Sequence, residues 1–197
     1  MRLLALTLVL LTTAAATWAQ PVERPTAQDR SLSGLQAAIS DLPPSQAYPK
    51  FCDLFVIVSP HPDSTIEGFI KRARFGDPGS FAFVSFMVWK GFAGFKSDQV
   101  AGKFGLIRAM NDGSGAAAGF IGQTFQQRPG DTDNEKADSY FAALHWYGVA
   151  VGMGEAQVHQ TAVAFIDALS AGKQDTRDRL MTLYNKGMEE GAAKRRK

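Results

Sequence analysis

Few side chains in this sequence combine a reactive group with an arrangement that would use it. Cys52 is the one cysteine, and it sits in Phe51-Cys52-Asp53-Leu54-Phe55. An apolar setting disfavours the thiolate, so a buried, inert thiol is the expectation rather than a nucleophile. Asp131-Thr132-Asp133-Asn134-Glu135 begins like a calcium loop, whose hard cation needs oxygen ligands at fixed steps and a glycine at the sixth. Here Lys136 stands at the glycine position and Ala142 where the bidentate glutamate belongs. Ser114, in Gly113-Ser114-Gly115, lacks the intervening positions of a nucleophile elbow. Gly152-Met153-Gly154 lacks the third glycine of a dinucleotide loop, and no strand is expected before it. His145 and His159 fall on apolar helical faces, as core or groove residues more than as ligands. His61 lies in Ser59-Pro60-His61-Pro62-Asp63-Ser64, which the residues alone read as a turn leading into a capped helix.

The elements that must carry these residues are mostly helical. Leu32, Leu35, Ile39 and Leu42 recur at helical spacing, and Pro43-Pro44 stop the run. Ser64-Thr65-Ile66-Glu67 is a capping-box pattern with Ile66, Phe69, Ile70 and Ala73 behind it, ending near Gly76. Residues 81–95 are apolar nearly all round, so periodicity leaves helix or strand open. Their aromatics, Phe81, Phe83, Phe86, Trp89, Phe92 and Phe95, read as core rather than as a cofactor box. Residues 100–110 and 116–127 suggest two further helices.

In the last third, Thr132-Asp133-Asn134-Glu135 is a second capping box, followed by Tyr140, Leu144, Tyr147 and Val151 on one face. Val158, Ala162, Phe165, Ile166 and Leu169 form the next face, ended by Gly172. Thr176 opens a last helix with Leu180, Tyr184 and Met188. Short loops place sequential helices antiparallel. Gly148 and Gly152, four apart, allow a neighbouring helix to approach closely.

Two stretches resemble known families. Val56-Ile57-Val58-Ser59-Pro60-His61-Pro62-Asp63-Ser64 resembles the strand-to-loop signature of the PIG-L/LmbE zinc deacetylases, and residues 54–88 would follow its βαβ order. The resemblance implies His61 as a zinc ligand and Asp63 as general base. Ser64 replaces the second aspartate ligand, which leaves an incomplete zinc site. The segment Trp146-Tyr147-Gly148-Val149-Ala150-Val151-Gly152, with the helices after it, is similar to small periplasmic immunity proteins that neutralise amidase effectors of type VI secretion. That resemblance implies an exported, helical, non-catalytic inhibitor that plugs an enzyme's active site. The cysteine pair usual in that family is absent, since Cys52 is alone.

The N-terminus carries the three-part grammar of a secretory signal. Arg2 is followed by Leu3, Leu4, Leu6, Leu8, Val9, Leu10 and Leu11, and Thr17 and Ala19 supply small residues before a cut at Gln20. The run is too short for a membrane span, which takes about 20 apolar residues, and no later stretch is long and apolar enough. Cleavage of residues 1–19 would leave about 178 of 197 residues, enough for one domain with its own core. Residues 20–30 read as a flexible leader, 31–190 as the helical domain and 191–197 as a basic tail. The net charge of +2 owes much to Lys194, Arg195, Arg196 and Lys197, so no basic stripe suggests nucleic acid. One cysteine in an exported chain means no internal disulfide, and stability must come from packing.

The sequence thus predicts an all-α, single-domain helical bundle, with an α/β fold beginning at 54–88 as the alternative. The expected function is that of a periplasmic or secreted binding protein without a cofactor, whose partner is another protein, an exported hydrolase. The alternatives are a zinc-dependent deacetylase using His61 and Asp63, and a small-ligand carrier in which residues 81–127 line a cavity.

Overall fold

The computed structural model describes residues 31–56, 64–127 and 129–196, and nine helices account for most of them. The expected signal peptide and leader, the turn at 59–63, His61 and Asp63 lie outside the described residues. α1 (Leu32–Ile39) starts where the Ser31 hydroxyl accepts from the Gly34 N–H at 3.0 Å. α1 ends at Ile39, before Leu42 and the stop expected at Pro43-Pro44. These prolines begin a helix the sequence reading missed, α2 (Pro44–Phe55), with Pro44 at the first position, where its lacking N–H costs nothing. α3 (Ser64–Arg74) follows.

α4 (Pro78–Lys90) settles the open segment and corrects the βαβ alternative. Asp77 accepts from the Ser80 N–H, Pro78 presets the first turn, and Gly91 in the left-handed region at φ 70° ends the helix. Among the described residues there is no strand, so the run after Phe81 is a buried helix. α5 (Gln99–Asn111) is capped by Asp98, and α6 (Gly115–Gln127) follows the Gly113 turn. α7 (Asp133–Gly152) opens on the complete Thr132–Glu135 capping box. α8 (Val158–Ser170) ends at Ala171 and Gly172, and α9 (Gln174–Arg195) begins two residues ahead of Thr176. It continues through Lys194 and Arg195, so much of the expected tail is helix, with Lys194 3.6 Å from Glu190.

Two groups of buried side chains form the core. The larger runs through α1 to α6: Tyr48 stacks on Phe81 with ring centroids 3.8 Å apart, and Phe51 meets the same ring edge-on at 5.0 Å. The smaller joins α7, α8 and α9 through Leu144, Tyr147, Ile166, Leu180 and Tyr184. α7 serves both, since Val149, Ala150 and Met153 face the larger group. Of the aromatic run at 81–95, Phe81, Phe86 and Phe95 are buried as expected, whereas Phe92 is exposed.

α7 and α9 run parallel, with α8 as the return. Gly148 and Gly152 of α7 face Gly187 and Gly191 of α9. A Cβ at any of the four would overlap a carbonyl oxygen of the other helix, those of Tyr184, Met188, His145 and Val149 respectively. The backbones therefore touch in the geometry of Cα–H···O contacts, which only glycine permits. At the other end, Arg108 donates to the carbonyls of Ile39 (2.6 Å), Ser40 (2.8 Å) and Leu42, and to Asp112 at 2.7 Å. A cation thus closes the C-terminus of α1, where the helix dipole favours it. Tyr48 donates its hydroxyl proton to the same Asp112 oxygen at 2.7 Å.

Candidate functional site

An open groove of about 510 Å³ lies between α6, α7 and the start of α8. Its position follows from glycines on α6. Gly115, Gly119 and Gly122 share one face at i, i+4 and i+7. A Cβ at Gly122 would stand 2.8 Å from the Tyr147 ring, so glycine lets that ring lie flat against α6. A Cβ at Gly115 would stand 2.7 Å from Cγ of Glu155, so the first turn of α6 receives this side chain directly. Gly154, at φ 113°, turns the chain out of α7, and the Glu155 N–H donates back to Ala150 at 3.0 Å. Glu155 and Gln157 thereby stand at the mouth, with Val158 and Thr161 of α8 beyond them.

The lining is more apolar than polar, and its polar groups are mostly neutral. Gln123, Gln126 and Gln127 come from one side of α6, and Phe120 gives the floor an aromatic edge, its ring stacked on Phe86 at 4.6 Å. Tyr147 donates its hydroxyl proton to Oε1 of Gln126. Burial pushes that phenol up to about 12, so it remains a neutral donor. Lys90 donates to Oε1 of Gln127 at 3.1 Å, and Gln157 donates to Glu155 at 3.3 Å. Side-chain amides, hydroxyls and one carboxylate over an aromatic floor suit hydrogen-bonded recognition, and the volume lies within the usual ~300–1,000 Å³ of ligand sites.

The residues singled out in the sequence are scattered elsewhere. Cys52 is 1% exposed on α2. Burial is the main force that pushes its thiol up to about 12; Arg74 pulls it down and Asp53 pushes it up to lesser degrees. It is the inert thiol expected. Ser114 caps α6, its hydroxyl accepting from the Ala117 N–H at 3.2 Å. The calcium-like string is a helix start: Thr132 accepts from the Glu135 N–H, and Glu135 accepts from the Thr132 and Asp131 N–H groups. Those hydrogen bonds, the Thr132 N–H first, hold the Glu135 carboxyl below its ordinary range.

Neither helical histidine is a core residue. His145 is half-buried, 3.3 Å from Glu190 across the α7–α9 seam, and His159 is exposed, its Nδ1 2.8 Å from the Tyr184 hydroxyl. The structure brings none of these residues together. Of the stretch 81–127 expected to line a cavity, the α6 part lines this groove, while α4 fills the core. The groove glutamines were passed over because glutamines on a helix carry no motif; the one signal for them in the sequence is the glycine face of α6. Among the described residues, no group of three or more His, Cys, Asp or Glu side chains is placed to hold a metal ion. No family model, no curated protein and no solved structure matches the chain.

Proposed function

We propose that this chain is an exported, non-catalytic binding protein that takes a segment of a partner protein into the α6–α7–α8 groove and holds that partner, a hydrolase effector, inactive. The observation that carries the reading is the groove itself, open and lined by glutamine amides, a tyrosine hydroxyl and an aromatic ring. Primary amides both donate and accept, as a polypeptide backbone does, so they pair with it without demanding one side-chain sequence. The resemblance of the α7–α9 region to amidase-effector immunity proteins, and the signal-like N-terminus, point to the same compartment and class of partner.

Gly119 offers the cleanest test. A Cβ there would meet Val158 at 3.4 Å, an ordinary contact, so a larger side chain can be carried toward the groove rather than into a packed interface. The purified chain should inhibit an exported peptidoglycan amidase at near-equimolar concentration. Gly119→Phe should retain the helical circular dichroism spectrum and lose the inhibition. Equal inhibition by Gly119→Phe, or none of any exported hydrolase by the wild type, would remove the proposal.

A further inference from the structure

We infer that the segment seated in the groove carries a lysine or arginine whose cationic end meets Glu155; this rests on the reading of the groove as the partner site. Among the described residues that line the groove, Glu155 is the one charged side chain. Its carbon chain lies against the first turn of α6, where the positive end of the helix dipole favours a carboxylate. Its oxygens accept one hydrogen bond, from Gln157, and form no ion pair among the described residues. Lys90 is directed to Gln127 and to the face of Phe86, 5.6 Å from its centroid. The Arg195 guanidinium lies against Gly154, its Nη1 3.3 Å from where a Cβ would stand, and forms no ion pair with Glu155. The groove therefore presents an anion to whatever enters it.

The rest of the lining identifies the carrier of the cation as a peptide. An ammonium group only donates, so the Lys90 bond fixes Oε1 of Gln127 and leaves its amide N–H groups to donate to an entering ligand. Gln126 is placed alike, its Oε1 already taken by Tyr147. Two donors of this kind match backbone carbonyl oxygens. Phe120 and Val158 offer apolar surface along which the methylene stem of a lysine or arginine lies while its end reaches the carboxylate.

The test pans a display library of random linear peptides against the full chain, the isosteric Glu155→Gln and the charge-reversed Glu155→Lys, with Gly119→Phe marking the groove. Wild type should enrich peptides with a lysine or arginine at one position, and these should bind Glu155→Gln at least about tenfold more weakly. Glu155→Lys should enrich aspartate or glutamate instead. Peptides that need an open groove but bind Glu155→Gln as well as wild type overturn the cation inference and leave the groove reading standing. A library that returns no binder sensitive to Gly119→Phe, with a chito-oligosaccharide bound instead, overturns both.

Discussion

The carbonyl oxygen of Tyr184 stands where a side chain on Gly148 would have to begin. This relationship repeats along the α7–α9 seam at Gly152, Gly187 and Gly191, each against backbone of the other helix. The obstruction is main chain, which cannot rotate away, so one methyl group must push the helices apart. Gly148→Ala should therefore destabilise the fold by about 3 kcal/mol, near the upper range for overpacking. Gly79→Ala is the control, since its Cβ would lie 3.8 Å from an Asp77 oxygen in ordinary contact. Chemical denaturation of the two variants measures the difference; equal stability would mean the seam opens without cost.

Arg108 holds three carbonyls at the end of α1 and the Asp112 carboxylate, which in turn receives Tyr48. The guanidinium is only 12% exposed, so its loss leaves acceptors without solvent to replace it. Arg108→Met should cost about 3 kcal/mol. For a chain of this size that corresponds to a melting temperature lower by roughly 6–12 °C. Arg108→Lys should recover only part, because an ammonium cannot span the fork of acceptors. Thermal melts followed by circular dichroism give both numbers.

Much of this architecture was legible in the sequence, but only where the information is local. The Thr132–Glu135 box and the Leu32–Ile39 periodicity lie within one helix each, and both appear as read. α2 was missed because Pro43-Pro44 read as a stop, although Pro44 is tolerated at a first helical position. The groove was illegible for a different reason. Gln126, Tyr147 and Glu155 are brought together by how α6, α7 and α8 cross, and no spacing along the chain encodes that meeting. Arg108 is similar, an ordinary cation in sequence whose carbonyl partners lie more than sixty residues away.

Alkaline pH should unfold the protein earlier than its charge alone suggests. The Cys52 thiol rises from its ordinary 9.0 to about 12, and the Tyr147 phenol from 10.0 to about 12, both through burial. Each folded group holds its proton more tightly than the unfolded chain does. The stability this contributes is complete below about pH 9 and is lost as pH rises toward 12. Cys52→Ala should flatten the start of that decline in urea melts between pH 8.5 and 11. A disulfide-exchange reagent at neutral pH should leave Cys52 unmodified until denaturant is added.

Expression of the full chain in a bacterium with a periplasm tests its address. The periplasmic fraction should hold a protein whose first residue, by intact mass and N-terminal sequencing, is Gln20. An uncut chain starting at Met1 and confined to the cytosol would contradict the export reading.

Metal content separates the binding protein from the deacetylase resemblance. Purified without chelators, the chain should contain far less than one equivalent of zinc. Close to one zinc per chain, lost in His61→Ala and retained in Gly119→Phe, would favour the enzyme instead.

The parallel α7–α9 seam also bears on the order in which the molecule assembles. It joins backbones about 40 residues apart, whereas α3 with α4, α4 with α5 and α6 with α7 pack against sequence neighbours. Those adjacent pairs close short loops and have the kinetic advantage. The glycine seam waits for α8 to fold back and deliver α9 in register. The wall behind the outer face of α7 thus depends on a contact of greater sequence separation than those that hold α6 against α7.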